Sequence, residues 1–418
     1  MYRIIYFVSI EQKKIINDPV YGFINIPFEL IFDLISHPFF QRLRYIKQLG
    51  MTHLVYPGAL HTRFHHALGA MHLMSLAIEI LRSKGHEITT EEEEAATVAI
   101  LLHDIGHGPF SHALEHSLVK GISHEDISML MMERLNEQFD GRLTMAIEVF
   151  KGKYPKKFLH QLISSQLDLD RMDYLNRDSF FTGVSEGVIS FDRIIKMFNI
   201  ADDHLVIEEK GIYSIEKFLI ARRLMYWQVY LHKTVIAGEQ LLVKILKRAK
   251  ELAINGHELF ATPALQHFLK NDVIRKDFFE SDIHLLRFSR LDDQDIFASV
   301  KVWREHDDRI LSILCTMLVD RNLYKTEISN EIPEESRVQR IKENAMISLE
   351  VDENDVSYFV FTDKISNRAY NTAEGNSTIN ILMKNNTTID IAKASDLSNL
   401  ESLDKTVRKH ILCYPRII

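Results

Sequence analysis

The sequence predicts a mainly α-helical protein with small β-hairpins and a smaller α/β region towards its C-terminal end. Three observations support this prediction. Long segments place apolar residues at helical spacing, as in His61 to Leu81 and Ile215 to Leu252. Short turn-rich segments such as Lys13 to Glu29 are typical of hairpins. From Lys325 onward the sequence changes to mixed β-rich runs and polar loops.

The length of 418 residues allows more than one domain. We expect a core over residues 1–324, in which residues 60–180 contain the chemically informative motifs and residues 181–324 form a helical extension. Residues 325–418 are predicted to form a smaller α/β appendage. The apolar start, Tyr2 to Ile10, is predicted to be a strand or helix and not a signal peptide.

Three further segments have local predictions. Leu205 to Ile207 is expected to pair with Gly211 to Tyr213 as a hairpin, and Met346 to Val351 is expected to be β-rich. Phe158 to Asn176 is predicted to be one helix.

Composition excludes several classes of protein. The net charge of −8 argues against a broadly basic nucleic-acid binder. Cys315 and Cys413 are the two cysteines, which rules out a disulfide framework and a CxxC zinc site and favours a reducing cytoplasm. No apolar run reaches the roughly 18 residues that span a bilayer, so no membrane segment is expected.

The most informative stretch runs from Leu101 to His112. Glu91 to Glu94 suit the first turn of a helix, and the nearly all-apolar segment after them predicts that this helix is buried. His103 and Asp104 then lie at its inner end, where an unpaired charge is costly. A metal ion would satisfy both side chains, but a hydrogen-bonded core pair would also do so. The nearby His107, His112 and His124 make the metal as good an interpretation as the core pair, so these residues alone leave both alternatives open.

Histidine and aspartate residues occur in a fixed order along the chain. His66, then His103 with Asp104, then Asp170 match the H…HD…D signature, so the chain resembles the HD-domain metal-dependent phosphohydrolases. The resemblance covers roughly Ile15 to Lys233. It is closer still to the deoxynucleoside triphosphate triphosphohydrolase branch of that superfamily. The resemblance therefore implies an HD-domain helical core.

The resemblance also implies a metal site and a catalytic group. Its metal ligands would be His66, His103, Asp104 and Asp170, holding one divalent ion per site, which could be Mn, Fe, Ni, Zn or Mg. A metal-activated water would attack phosphorus. The implied catalytic residues are His107, His112, Glu115 and His124. Glu115 stands where the family has Asp.

Substrate contacts are implied in the same way. The groups expected to hold the triphosphate are Arg63, Arg171, Tyr174 and Arg222, with Arg171 replacing a family Lys. The groups expected to hold the sugar and exclude a 2′-hydroxyl are Gln48, Leu49, Asp178 and Tyr230.

A regulatory nucleotide site is implied by Asn17, Arg44, His232 and Lys233. Ser36 replaces the family Asp that reads guanine, so altered base preference is expected. Residues so far apart in sequence are expected to meet between chains of a homo-oligomer, a dimer or a tetramer.

The expected function is hydrolysis of dNTPs to deoxynucleoside and inorganic triphosphate. One alternative is a phosphatase acting on nucleoside monophosphates or other phosphoesters. Another is a nucleotide-binding regulator with low turnover. The four implied metal ligands argue against the regulator, and the four groups implied for the triphosphate favour a triphosphate substrate.

Overall fold

Helices make up most of the described chain, so the predicted mainly α-helical fold is confirmed. The computed structural model describes residues 14–110, 117–119, 121–368, 370, 378–396 and 405–416. The helices up to residue 225 are α1 (Glu29–Ser36), α2 (Pro38–Gln41), α3 (Arg63–Ser83), α4 (Thr90–Leu102), α5 (His124–Gln138), α6 (Thr144–Phe150), α7 (Lys157–Ile163), α8 (Leu169–Thr182), α9 (Phe191–Lys196) and α10 (Ile212–Met225). Those that follow are α11 (Lys233–Ile254), α12 (Pro263–Lys270), α13 (Arg275–Glu280), α14 (Asp282–Phe288), α15 (Asp293–Trp303), α16 (Arg309–Val319), α17 (Glu335–Leu349) and α18 (Ile391–Ala394).

The strands within the described residues form small sheets. An N-terminal antiparallel hairpin consists of β1 (Ile15–Asp18) and β2 (Gly22–Asn25). A second sheet has the order β3 (Phe198–Ala201), β4 (His204–Glu208), β7 (Asn380–Leu382) and β8 (Thr388–Asp390). In a third sheet, β9 (Val407–Tyr414) lies between β5 (Lys325–Ser329) and β6 (Phe361–Asn367).

Helices α3 and α4 pack against each other at the centre of the fold, and α8 packs on α3. Helix α4 begins at a capping box: the Thr89 side chain accepts from Glu92 N, and the Glu92 side chain accepts from Thr89 N. This pair satisfies two amide groups that have no partner within the helix. Every residue from Ala95 to Leu102 is buried. As predicted, His103 and Asp104 directly follow the buried helix.

Helix α3 is long and apolar enough to cross a membrane by length and composition. Most of its apolar stretch is buried inside the fold. A helix buried in this way is typical of a protein core.

Two predictions of single long helices are wrong. The segment Ile215 to Leu252 is divided by a π-helical turn at Tyr226–Tyr230, where Leu231 N donates to the carbonyl of Tyr226 at 2.7 Å. The segment Phe158 to Asn176 is also divided, because the Asp168 side chain accepts from Arg171 N and thereby starts α8.

Two β predictions are also wrong in part. Leu205 to Ile207 does form a strand, but its antiparallel partner is β3 and not Gly211 to Tyr213, a segment that ends in α10. Met346 to Leu349 belongs to α17. That helix has apolar residues at helical spacing, including Val338, Ile341 and Ala345, and this longer pattern outweighs the local β propensity.

The predicted division at residue 325 stays a prediction. Strand β7 pairs in parallel with β4, so the C-terminal residues contribute to a sheet that begins in the helical extension. The predicted N-terminal segment Tyr2 to Ile10 lies outside the described residues.

Candidate active site

Four side chains from α3, the end of α4 and the start of α8 meet at one point. His66 Nε2 lies 3.1 Å from Asp170 Oδ1 and 3.8 Å from Asp104 Oδ2. His103 Nε2 lies 3.4 Å from Asp104 Oδ1 and 3.4 Å from Asp170 Oδ1. Metal bonds of about 2.1 Å place neighbouring ligand atoms about 3.0–3.4 Å apart. The ligand atoms of His66, His103 and Asp170 are therefore close enough to share one ion, and Asp104 lies beside them, where it also clusters with His107 and His124.

Both imidazoles direct Nε2 towards this point because Nδ1 is engaged elsewhere. His66 Nδ1 donates to Asp173 Oδ2 at 2.7 Å, and His103 Nδ1 donates to the carbonyl of Ile100 at 2.6 Å. A carbonyl or carboxylate only accepts, so these bonds fix the proton on Nδ1. Among the described residues, neither Nε2 atom has a well-aligned hydrogen-bond partner. Buried nitrogens oriented in this way fit a divalent cation.

The carboxylates attract positive charge strongly to the same point. Burial lowers the pKa of His66, but the nearby carboxylates of Asp170 and Asp173 outweigh burial and raise this pKa to about 10. Burial raises the pKa of Asp170, but His103 and His66 outweigh it and hold the pKa far below its ordinary value. A proton or a divalent cation would offset these negative charges, and the two compete for the same nitrogen.

His107 and His124 lie beside the predicted metal ligands. Their rings stack with centroids 3.8 Å apart and planes 17° apart, and His107 Nε2 lies 3.4 Å from Asp104 Oδ1. Burial and then the charge of Arg63 lower the pKa of His107 to about 3, so its ring is neutral at physiological pH. Arg63 Nη1 itself lies 2.6 Å from Asp104 Oδ2. The other two predicted catalytic residues, His112 and Glu115, lie outside the described residues.

Two of the arginines predicted to hold phosphate differ in their contacts: one is ion-paired, and the other has nitrogens without a hydrogen-bond partner among the described residues. Arg171 is paired through Nη1 with Asp168. The buried Nε and Nη1 atoms of Arg222 have no hydrogen-bond partner among the described residues. Tyr174 lies one turn after Asp170, and its ring centroid is 6.2 Å from that of Tyr230.

Among the groups predicted to hold the sugar, Asp178 has a hydrogen-bond partner on each of its two carboxylate oxygens. It is almost fully buried, and it accepts from Tyr230 OH at 2.8 Å through Oδ2. His61 Nε2 lies 2.7 Å from the other oxygen, and the His61 ring stacks on Phe181 with centroids 4.5 Å apart. Sequence reasoning missed His61, although it is two residues before Arg63 in the same motif.

Gln48 and Leu49 directly follow Lys47, which forms an isolated antiparallel β-bridge with Thr62 just before α3. Gln48 N donates to the carbonyl of His61 at 3.0 Å, which joins the segment of Gln48 and Leu49 to the segment of His61. The Gln48 Oε1 atom is buried with no hydrogen-bond partner among the described residues. Leu49 is half-buried and packs against the core.

Sequence reasoning also missed Asp293, which is 3% exposed and starts α15. Its Oδ2 accepts from Lys47 N at 3.0 Å, and its Oδ1 accepts from Phe110 N at 3.2 Å. One carboxylate therefore joins the segment before Gln48 to the turn that contains His107. No local pattern indicates this role, because the contacts are distant in sequence.

The predicted regulatory residues lie in two groups. Asn17 is in β1, and the Arg44 guanidinium lies over the Phe64 ring, 3.6 Å from its centroid. His232 caps the start of α11, and Lys233 is the first residue of that helix. Within the part of the chain that the structure describes, no hydrogen bond, ion pair or ring contact joins Asn17 or Arg44 to either of them.

Comparison with known proteins identifies the family. The HD domain family model matches residues 63–178, and that of the HD associated region matches residues 189–358. YwfO from Bacillus subtilis is 33% identical over 424 residues, covering 98% of this chain and 93% of YwfO. This chain belongs to the HD-domain phosphohydrolase family. HD domains bind divalent metal ions, and the cluster of His66, His103 and Asp170 could hold one.

Solved and curated relatives support the same assignment. The crystal structure of a phosphohydrolase from Bacteroides thetaiotaomicron has a TM-score of 0.94 and 54% identity, covering 97% of this chain and 100% of that chain. A Dictyostelium discoideum homolog of the deoxynucleoside triphosphate triphosphohydrolase SAMHD1 is 34% identical, covering 54% of this HD-domain chain and 48% of that protein. Human SAMHD1 is 31% identical, with coverage of 54% and 43%.

Proposed function

We propose that this HD-domain phosphohydrolase converts dNTPs to deoxynucleoside and inorganic triphosphate. The main supporting observation is the face of α8 on which Asp170, Tyr174 and Asp178 follow one another at intervals of four residues. A rise of about 1.5 Å per residue separates Asp170 from Asp178 by about 12 Å along the helix. That spacing leaves room for a phosphate and a sugar between the metal ligand and the buried acceptor Asp178. The SAMHD1 relatives support the same substrate class.

We assign one divalent ion to His66, His103, Asp104 and Asp170, with its identity open among Mn, Fe, Ni, Zn and Mg. When bound, such an ion lowers the pKa of a coordinated water and polarises phosphate oxygens. Neutral His107 lies 3.4 Å from Asp104, and we assign it to orienting a water bound there. His124 stacks on His107 and limits its rotation. From the family resemblance, we assign His112 as the proton donor to the leaving oxygen. We assign Glu115 to the same catalytic group as His107 and His124.

The remaining roles concern substrate binding. We assign the triphosphate to Arg63, Arg171, Tyr174 and Arg222. We assign the sugar to Gln48, Leu49, Asp178 and Tyr230. Because His61 and Tyr230 each contact a different oxygen of Asp178, the carboxylate is fixed in orientation. A carboxylate has about four acceptor positions, so Asp178 can still accept from a 3′-hydroxyl.

One observation favours a second candidate, a phosphatase acting on nucleoside monophosphates or another phosphoester. Arg63 is paired with Asp104, and Arg171 is paired with Asp168. Both guanidinium groups are therefore partly neutralised, which reduces the positive charge available to a triphosphate. A monophosphate has fewer negative charges and would need less of this compensation.

Product analysis separates the two candidates. The protein, loaded in turn with Mn²⁺ and Mg²⁺, is incubated with each dNTP, the matched NTPs and the deoxynucleoside monophosphates, and products are resolved by anion-exchange chromatography. We expect inorganic triphosphate from dNTPs. Orthophosphate released from monophosphates, with no triphosphate from any dNTP, would contradict the proposal. Asp104→Asn, which keeps the shape but removes a charged ligand, controls for contaminating phosphatases.

We also propose that the protein acts in the cytoplasm as a homo-oligomer, a dimer or a tetramer. Asn17, Arg44, His232 and Lys233 would form a regulatory nucleotide site beside the interface. Support comes from the separation of these residues into two groups, which neighbouring chains could bring together. Cys315 and Cys413 are buried free thiols, which is consistent with a reducing compartment. Light scattering that shows a fully active monomer at every concentration, with and without dNTPs, would contradict assembly.

A further inference from the structure

A series of buried charges connects the β1–β2 hairpin to the metal ligand His66. His66 Nδ1 donates to Asp173 Oδ2, and Arg177 donates to both oxygens of that carboxylate, from Nε at 2.9 Å and from Nη2 at 3.0 Å. Arg177 Nη1 donates in turn to Asp18 Oδ2 at 2.8 Å. Asp18 is the last residue of β1 and lies outside the segment that the HD domain matches. We call Asp18, Arg177 and Asp173 the hairpin network.

The hairpin network is enclosed by the fold. Asp173 and Arg177 are 0% exposed, and Asp18 is 4% exposed. Gly69 in α3 makes room for it, because a Cβ there would lie 1.9 Å from Asp173 Oδ1 and 2.2 Å from Arg177 Nη2. Buried charges are screened little by salt, and removing one partner leaves an uncompensated charge. A change at one end of the network is therefore transmitted to its neighbours.

The carboxylate of Asp18 contacts both the hairpin turn and Arg177 of α8. Its Oδ1 accepts from Val20 N at 2.9 Å and from Tyr21 N at 3.0 Å, which fixes the turn between β1 and β2. Its Oδ2 accepts from Arg177 Nη1 at 2.8 Å, and Arg177 Nη2 also donates to Oδ1 over a longer 3.4 Å. The Asp18 carboxylate thus fixes the hairpin turn and also holds the Arg177 guanidinium. The guanidinium in turn orients Asp173.

We propose that Asp18 is a positioning residue for the metal ion. It fixes Arg177 and Asp173, and through them the ring of His66. This inference rests on the metal site proposed above, and it adds that the position of the N-terminal hairpin controls metal affinity. Because coupling between two sites is reciprocal, metal binding must stabilise the hairpin by the same free energy with which the hairpin favours the metal.

Asp18→Asn tests this proposal with little change of shape. The Asn carbonyl can still accept from Val20 N and Tyr21 N and keeps the long contact with Arg177 Nη2. Its NH₂ group would face Arg177 Nη1 and cannot accept from it, so the short bond and the negative charge are lost. Loss of an outer partner of a ligating His typically lowers metal affinity 10–100-fold. Here that partner is Asp173, and Asp18 acts on it through Arg177. We therefore expect the dissociation constant for Mn²⁺ alone, followed by electron paramagnetic resonance, to rise about tenfold, the lower end of that range.

Asp308→Asn is the matched control. Asp308 likewise accepts from a backbone amide, Leu311 N at 2.8 Å, and pairs with an arginine, Arg248 Nη2 at 2.6 Å, but it does so at the start of α16. We expect its Mn²⁺ affinity to equal that of the wild type. An Asp18→Asn protein with wild-type circular dichroism and wild-type Mn²⁺ affinity would overturn the proposal.

Hydrogen exchange of the wild type gives a second test, which does not depend on any variant folding. Mn²⁺ should slow exchange of the amides in β1 and β2, because the coupling acts in both directions. Unchanged exchange in the hairpin at saturating Mn²⁺ would overturn the proposal as well. Neither measurement contains a nucleotide, so a failure to hydrolyse dNTPs would leave this inference standing.

Discussion

Replacing Gly69 with alanine should both destabilise the fold and weaken metal binding. Gly69 lies in α3, where a Cβ would come within 1.9 Å of Asp173 Oδ1 and 2.2 Å of Arg177 Nη2. Both distances are far shorter than van der Waals contact. Because Asp173 and Arg177 are fully buried, they cannot move into solvent, and the added methyl group must displace their ion pair.

The expected magnitude follows from two opposing effects. Alanine in place of glycine inside a helix stabilises by about 1 kcal/mol. Disrupting a buried ion pair costs about 3–5 kcal/mol. The net change should be a loss of about 2–4 kcal/mol in the free energy of unfolding. Displacement of Asp173 also removes the acceptor of His66 Nδ1, so we expect metal affinity to fall about 10–100-fold.

The assay compares thermal unfolding of wild type, Gly69→Ala and Gly238→Ala, with and without Mn²⁺. Gly238 lies in α11, and a Cβ there would meet the flexible end of Leu54 at 2.9 Å and apolar atoms of Met51 at 3.4 Å and beyond. That variant should keep or slightly raise its unfolding midpoint, because alanine suits a helix better than glycine, and its Mn²⁺ affinity should be unchanged. A Gly69→Ala protein that matches the wild type in both quantities would refute the packing of the Asp173–Arg177 pair against α3.

Three other substitutions have expected outcomes. Asp104→Ala should lose bound metal and activity together, measured by metal analysis and product release, because it removes a ligand from the centre of the site. Tyr230→Phe should raise the KM for dATP about fivefold, since one net hydrogen bond is worth about 1 kcal/mol, while ATP stays a poor substrate because the ring is kept. Asp293→Asn should lower kcat but leave Mn²⁺ affinity unchanged in a titration, because Asp293 contacts Lys47 and Phe110 and none of the metal ligands. Equal turnover of ATP and dATP by the wild type would contradict the assigned sugar pocket.

Local signals predicted the central helices well. The acidic run Glu91 to Glu94 indicated the first turn of α4, and the apolar run to Leu102 indicated that the helix is buried, as the structure shows. The end of this run indicates where His103 and Asp104 leave the helix. That His66 and Asp170 meet them cannot be read from spacing, because three separate elements must pack first. The resemblance of the ordered motif to a known family supplied that prediction.

Predictions failed where long-range packing decides the structure. Apolar spacing continues across Tyr226 to Tyr230, so nothing in the periodicity indicates the π-helical turn that places Tyr230 beside Asp178. The strand propensity of β4 can be read from its own residues, but its partners cannot. One partner, β3, is its neighbour in sequence, and the other, β7, comes from the C-terminal part of the chain. His61 was overlooked for a related reason, since its role depends on Asp178, a distant residue.

The turn that contains His107 depends on residues outside the HD domain match. Arg42 donates to the carbonyl of Ile105 at 2.7 Å and to that of Leu291 at 3.2 Å. At the other end of the turn, Phe110 has a φ of 50°, and its amide donates to Asp293. Such a conformation costs about 1–3 kcal/mol in a residue with a side chain and persists only when surrounding contacts enforce it. Because Leu291 and Asp293 lie in the HD associated region, that region is part of the machinery that keeps His107 beside the metal ligands.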